Sequence, residues 1–354
     1  MHQAWQKLAR DTHAVKGGSK RMDEVVNAWR DGRVGRIQLN RPKALNALDL
    51  TMVQLIHIAL DDFADDPSIH AVVMEAAGGR AFCAGGDVRA IRAQGMAGET
   101  EPIRAFFAAE YALNQAIADF PKPYVALIDG LCLGGGIGVS VHGSHRIATE
   151  NAAFAMPETA IALFPDIGAT YVLPRLPGAL GMFLALTGTR VTGADAVHVG
   201  LATHHVPQTR LPELSAAIAA DGVAVIAAFA EPLPPFSLAP YRALIDHSFA
   251  APSVREILAA LEDDGGEFAM ATVAALRAVS PSSLHWSFKI VRDGAMRTLD
   301  ECLAAELKLV QKITRHPEFF EGVRAVVVDK DRAPKWRPAA IEEVDPAEIA
   351  ALFA

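Results

Sequence analysis

The chain has 354 residues, and domains of about 100–200 residues are usual, so it is long enough for two domains or one large domain with an appendage. Hydrophobic residues make up 51% and charged residues 21%, which excludes long disorder and collagen-like structure; charges or prolines also break every apolar run short of the about 20 residues a spanning helix needs. The 41 acidic and 33 basic residues leave a net charge of −8 with no basic stripe, so a soluble protein without a nucleic-acid or membrane partner is expected.

Residues 1–21 are polar, carry Gly17-Gly18-Ser19 and lack the apolar core of a secretory signal, so they read as a loose extension before Met22, an upstream start or a transit segment. Val25 to Leu39 reads as a β-hairpin around Arg30-Asp31-Gly32-Arg33, with Asp-Gly at the turn. Behind Asp49 as N-cap, Met52, Leu55, Ile56, Ala59, Leu60 and Phe63 recur at helical spacing. Ala71-Val72-Val73-Met74 is a short buried strand. The small-residue loop Arg80 to Asp87 follows, then helices through Glu110 and Tyr111 to Phe120, and the strand Tyr124 to Ile128.

Leu133-Gly134-Gly135-Gly136-Ile137-Gly138 opens a helix running through Val139 and Val141, before strand-like Arg146-Ile147-Ala148 and Ala153-Phe154-Ala155. This alternation of strand, glycine turn and helix predicts an α/β core, 22–207. After Pro207 an Ala-rich helical periodicity takes over, so 208–354 is expected to be an α-helical region, with breaks at Pro232 to Pro235, Pro252 and Ser280-Pro281. Its helix from Leu299 should bury Leu299, Leu303, Leu307 and Val310 on one stripe.

Several chemistries are excluded by single positions. A dinucleotide-binding G-x-G-x-x-G would need glycine where Val139 stands, and a G-x-S-x-G elbow around Ser140 would need it where His142 stands. Cys83, Cys132 and Cys302 are odd in number and widely spaced, which supports neither a disulfide framework nor a zinc site and fits a reducing compartment. What remains is two glycine-rich loops, each between a buried strand and a helix. Such turns can aim backbone N–H groups at an anion or an oxyanion, or can serve only tight helix–strand packing.

The second feature is a set of carboxylates near apolar side chains. Pro157 at the start of a short helical turn places Glu158 close to that turn, and Pro165 breaks the chain before Asp166, which can cap the next helix. If the two lie together, desolvation and repulsion would raise the pKa of one, as acid–base chemistry near neutral pH requires. The alternative is a capping Asp166 and a solvated Glu158. Glu110, amid Phe106, Phe107, Tyr111 and Leu113, is open to the same two readings.

At these residues the sequence resembles the crotonase superfamily, the enoyl-CoA hydratase/isomerase fold, from about Val25 to the C-terminus. The resemblance is carried by Asn40-Arg41-Pro42-Lys43-Ala44-Leu45-Asn46-Ala47-Leu48, Ala81-Phe82-Cys83-Ala84-Gly85-Gly86-Asp87, Gly134-Gly135-Gly136 with Val139-Ser140-Val141-His142-Gly143, and Met156-Pro157-Glu158-Thr159. Leu163-Phe164-Pro165-Asp166 and the late runs Phe320-Glu321-Gly322-Val323-Arg324-Ala325, Asp329-Lys330-Asp331 and Pro334-Lys335-Trp336 narrow it to a thioester-hydrolase branch.

The resemblance implies an α/β fold, a crotonase-like spiral of ββα units with an α-helical C-terminal region. It implies that the backbone N–H groups of Gly86 and Gly135 hold a thioester carbonyl, that Glu158 is the catalytic glutamate, and that Asp166 is the second acid. Glu110, Gly135, Ala84, Gly85 and Asp87 would contact substrate. The implied reaction is hydrolysis of a small branched 3-hydroxyacyl-CoA, 3-hydroxyisobutyryl-CoA giving 3-hydroxyisobutyrate and CoA in valine catabolism. Glu158 would attack the carbonyl or act as base for water. Coenzyme A is then part of the substrate, and no metal or redox cofactor is implied.

Gly138 stands where hydratases carry the first of their two glutamates, so hydration should lack one acid–base group. The rival expectations are another crotonase reaction, hydration or double-bond isomerisation, and a non-catalytic scaffold or RNA-binding member of the fold. Relatives form trimers or hexamers, although helices of the same chain could cover that face here. The expected location is the cytoplasm in a bacterium and the mitochondrial matrix in a eukaryote.

Overall fold

Strands β2 (Val26–Asp31) and β3 (Val34–Leu39) form the expected hairpin, in antiparallel register from Val26–Leu39 to Asp31–Val34. Gly32 begins the two-residue turn at φ +59°, a conformation that costs glycine little. This computed structural model describes residues 21–22 and 25–354. The extension read over 1–21 lies outside the described residues except for Arg21, which with Met22 forms β1 along β2.

The chain then winds through three similar turns. Each lays one strand in a large sheet and the next in a small one: β4 (Ala71–Ala76) with β5 (Ala81–Cys83), β6 (Tyr124–Ile128) with β7 (Leu131–Leu133), and β8 (His145–Ala148) with β9 (Ala153–Ala155). Strands β10 (Val191–Thr192) and β11 (His204–His205) complete the sheets, whose orders are β1-β2-β3-β4-β6-β8-β11 and β10-β9-β7-β5. From β3 to β11 the large sheet is parallel, as are β5, β7 and β9. This is the α/β spiral expected. Strands β5 and β7 fall in segments read as loop or left unassigned, because three residues are too few to show a two-residue period.

Alternation along the large sheet divides the core. Val72, Met74, Tyr124, Ala126 and Ile128 point to the main cluster, while Val73, Val125 and Leu127 face a smaller one closed by Leu214 and Ile218 of the helix Leu211–Asp221. Helix Leu50–Asp65 is capped by Asp49, whose carboxylate accepts the Met52 N–H at 2.9 Å; of its predicted apolar face only Leu55 is partly exposed.

Helices dominate beyond residue 208, among them Arg242–Phe249, Val254–Asp264, Glu267–Ala278, Pro281–Gly294, Leu299–Ile313 and Pro317–Val323. They share the main hydrophobic cluster with the α/β part: Trp286, Leu309, Val310 and Phe319 belong to the same cluster as Ile37 and Phe82. The helix Leu299–Ile313 buries Cys302, Leu303, Glu306, Leu309, Val310 and Ile313, so the expected stripe is turned: Leu299 and Leu307 are half-buried and a glutamate occupies its centre. Among the described residues no helix is long and apolar enough to cross a membrane, and no cluster of three metal-ligating side chains occurs.

Candidate active site

Two glycine loops meet because the first motif of the chain holds one of them in place. Leu45 and Asn46 both adopt positive φ, and buried Asn46 donates to the carbonyls of Ala77 and Ala81 at 3.0 Å each while accepting the Arg41 N–H at 2.8 Å. The loop after β5 is laced to this segment: Ala84 N–H donates to Leu45 O, Leu48 N–H to Gly85 O, and Asp87 N–H to Leu48 O. In such a parallel bridge the intervening residue, Gly86, turns its own N–H away from Leu48.

That free face looks toward Gly135. A Cβ built on Gly135 would sit 3.4 Å from Gly86 N. Gly135 is the first residue of the helix Gly135–Val141, where an N–H has no preceding helical carbonyl to donate to. Two backbone donors therefore stand side by side at a helix start, the arrangement of an oxyanion hole. The glycines here are required by close approach: a Cβ at Gly136 would lie 2.4 Å from Cys83 O.

Of the other residues expected to contact substrate, Ala84 and Gly85 use their backbone groups in the lacing just described. Asp87 caps the helix Val88–Met96 by accepting the Ala90 N–H at 3.3 Å, and it pairs with Arg41 at 3.1 Å. Its carboxylate is engaged in structure and is not drawn into the acidic cluster.

The carboxylates converge on the same helix start. A Cβ at Gly134 would lie 2.6 Å from Glu158 Oε1, and one at Gly135 would lie 2.7 Å from Glu110 Oε1. Glu158, Asp166 and Glu110 are 6%, 4% and 2% exposed, which excludes a solvated Glu158 and a surface Glu110. Glu158 opens the 3₁₀ turn Glu158–Ile161, with Pro157 one position earlier than expected, as its N-cap. Glu158 Oε2 and Glu110 Oε1 make no hydrogen bond among the described residues, so each acid keeps one buried oxygen unpaired.

Asp166 is not the helix cap that the spacing allowed. The next helical turn, Ala169–Val172, has Gly168 as N-cap and no capping side chain of its own; the Asp166 main-chain carbonyl takes the Ala169 N–H instead. The Asp166 carboxylate accepts the Tyr111 hydroxyl at 2.6 Å. The capping role passes to Glu306, fully buried on the helix Leu299–Ile313, whose carboxylate accepts from Gly168 N at 2.8 Å, Thr170 N at 3.2 Å and Thr170 Oγ1 at 2.5 Å.

Between these anchors Ile167 adopts φ +57°, an uncommon conformation for a β-branched residue, and its carbonyl faces His142 Nε2 at 2.8 Å. Burial pushes the His142 pKa down to about 4, so the ring is neutral at pH 7; as a carbonyl can only accept, Nε2 carries the proton and donates it.

Burial raises all four acids, and the Asp166 charge raises the other three further. Burial first, then the charges of Asp166 and Glu306, drive Glu110 well up; burial, then Asp166, does the same to Glu158. Burial and Asp166 push Glu306 up to about 8. Asp166 is raised by burial only to about 6, because the Tyr111 hydroxyl and its own backbone N–H favour the anion. Asp166 is thus the member held toward its anion, while burial and its charge push Glu110, Glu158 and Glu306 toward their protonated forms.

Tyr111 and Glu306 escaped the sequence reading. The signal was there for Glu306, which lies at i+3 from Leu303 and i−4 from Val310 and so shares their face. Sequence alone could not say which carboxylates the face would meet.

The enoyl-CoA hydratase/isomerase family profile matches residues 34–353. The chain belongs to this family. Its relatives include the 3-hydroxyisobutyryl-CoA hydrolase, mitochondrial, of Xenopus tropicalis, 44% identical over 351 residues, covering 96% of this chain and 89% of that protein. The Homo sapiens protein of the same name is 43% identical, with 91% and 86% covered. Among solved structures, the carnitinyl-CoA dehydratase of Mycobacterium thermoresistibile superposes with a TM-score of 0.90 at 40% identity, covering 94% of this chain and 97% of that one. An enoyl-CoA hydratase from Rhodobacter sphaeroides gives 0.88 at 40% identity, with 93% and 97% covered.

Proposed function

We propose that this protein hydrolyses an acyl-CoA thioester, with 3-hydroxyisobutyryl-CoA as substrate. The observation that carries the reading is the buried Glu158, packed against the helix start whose N–H groups form the hole, on a chain alike over nearly its whole length to proteins named for this hydrolysis.

The thioester oxygen sits between the N–H groups of Gly86 and Gly135, which stabilise the negative charge it gains when the carbonyl is attacked; one such donor is worth about 10²–10³ in rate. Glu158 supplies the attack in one of two ways. Its carboxylate adds to the carbonyl and expels CoA thiolate, leaving a mixed anhydride that water opens, or it takes a proton from a water that attacks directly. Asp166, held as an anion by Tyr111, orients Glu158 and exchanges protons with it as the thiol leaves. Glu110, beside Gly135, contacts the acyl group. Coenzyme A enters as part of the substrate, and the residues of this mechanism require no metal or redox group.

The second reading is hydration of an enoyl-CoA, the chemistry named for the Rhodobacter sphaeroides structure; the Mycobacterium thermoresistibile one is named a dehydratase. Gly138 removes one carboxylate from that chemistry, yet the cluster offers Glu110 and Asp166 beside Glu158, so the glycine alone does not decide. The experiment is to supply 3-hydroxyisobutyryl-CoA and follow free thiol with a chromogenic reagent, and in parallel to supply methacrylyl-CoA and follow loss of the enone absorbance. Thiol release with a stable enone is the expected result; hydration without thiol release overturns the reading. By the names of its eukaryotic relatives, a eukaryotic source would place the enzyme in mitochondria; for a bacterial source the proposed location is the cytoplasm. A homo-oligomer, trimer or hexamer, is part of the same proposal.

A further inference from the structure

The helix Thr100–Ala118 presents Glu110 and Asn114, four residues apart and so on one face, to the helix Gly135–Val141. Each meets a glycine there. Gly135 and Gly138, three residues apart on the facing helix, lack the side chains that would otherwise fill the gap: a Cβ at Gly135 would lie 2.7 Å from Glu110 Oε1, and one at Gly138 would lie 2.9 Å from Asn114 Nδ2 and 2.9 Å from Ile167 Cβ. Asn114 is fully buried, and neither its Nδ2 nor its Oδ1 makes a hydrogen bond among the described residues. Leaving a buried amide unpaired costs about 1–3 kcal/mol. A leucine, similarly branched though larger, would carry no such cost, and Leu113 beside it is fully buried.

We propose that Asn114 is a specificity-determining residue that, together with Glu110, binds the 3-hydroxyl of the acyl group. The proposal rests on the acyl-CoA hydrolase reading. Glu110 flanks Gly135, whose N–H marks the thioester oxygen, and Asn114 lies four residues, about 6 Å, further along the helix. A 3-hydroxyl stands two carbon–carbon bonds of about 1.5 Å each, and one carbon–oxygen bond, beyond the carbonyl carbon, which brings it toward that second polar side chain. A hydroxyl both donates and accepts, matching the Asn114 Oδ1 and Nδ2 and the free Glu110 Oε1. Ile167, the residue after Asp166, closes the subsite with an apolar wall suited to a branched methyl group. Gly138 is then the residue that makes room for the amide.

The test compares 3-hydroxyisobutyryl-CoA with isobutyryl-CoA, its deoxy analogue, in the parent and in Asn114→Leu. A site built to pair a hydroxyl discriminates strongly against its loss, so the parent should prefer the hydroxy substrate in kcat/KM by at least about 100-fold. In Asn114→Leu that ratio should fall about tenfold or more, while the melting temperature holds or rises because an unpaired amide has been removed. A ratio unchanged within about twofold, or both substrates slowed equally as loss of a water site would do, overturns the proposal. Should circular dichroism show Asn114→Leu unfolded, Asn114→Ser is measured against the same ratio. If the parent releases no CoA from 3-hydroxyisobutyryl-CoA at all, it is the functional reading that fails; if it does and the ratio does not move, only the role of Asn114 fails.

Discussion

Tyr111 donates its phenol to the Asp166 carboxylate across 2.6 Å, joining the middle of the helix Thr100–Ala118 to the turn that follows Pro165. Both residues are nearly inaccessible, so the bond is made in a low-dielectric setting and favours the Asp166 anion over its acid. A hydrogen bond to a charged group is worth about 1.5–3 kcal/mol, or about 1–2 pKa units. Tyr111→Phe should therefore move the Asp166 titration upward from about 6 by that amount. The check is the pH profile of kcat/KM, in which the inflection near pH 6, separate from the rise set by Glu158, should shift to higher pH in the variant with little change at the plateau. An unmoved inflection would show that Asp166 does not control it.

Glu158→Gln keeps the shape of the side chain and removes both the nucleophile and the base. Thiol release should drop by about 10²–10⁴-fold with the melting temperature nearly unchanged. In the parent, burial and the Asp166 charge hold a proton on Glu158, so the active carboxylate is scarce at low pH and the rate should rise with pH well above the range of an ordinary glutamate. Turnover within about threefold of the parent would remove Glu158 from the mechanism.

Gly136→Ala tests the convergence of the two loops. Its Cβ would enter the space of Cys83 O, a backbone atom that cannot swing aside, so the helix start must retreat from β5. A loss of about 1–3 kcal/mol in urea denaturation is expected, with a fall in kcat as the Gly86 and Gly135 donors separate. Full stability with full activity would mean that the loops are not held by this contact.

Glu306 makes stability depend on pH with a definite sign. Its pKa rises from the ordinary value of about 4.3 in the unfolded chain to about 8 in the fold. Between those values the folded protein holds the extra proton, and stability falls as pH rises. Neutral buried His142, depressed to about 4, works in the opposite sense, but only below its unfolded value of about 6.5. From pH 6.5 to 8 Glu306 acts in the same sense as the other raised acids, Glu110 and Glu158, so the melting temperature should decline over that interval. Glu306→Gln should flatten the decline while lowering the melting temperature at every pH, since an amide cannot serve all three donors at Gly168 and Thr170. An equal slope in both proteins would refute the assignment.

The sequence by itself determined the local features of this protein. The Asp-Gly turn of the hairpin, the Asp49 cap, the strand Tyr124–Ile128 and the helix opening at Gly135 all follow from side-chain chemistry acting within a few residues, and each has a short-range signature. Glu158, Asp166 and Glu110, and the two glycine loops, are also legible in the sequence as places where chemistry could reside. Tertiary structure alone decided between the alternatives left open. Whether Asp166 caps a helix or faces Tyr111 depends on Glu306, 140 positions away, taking over the cap, and whether Gly86 comes to stand beside Gly135 depends on Asn46 and Leu48 pinning the other loop. The pKa order of the acids has the same origin: desolvation and charge–charge repulsion are set by distance in space, and separation along a sequence carries no record of that distance.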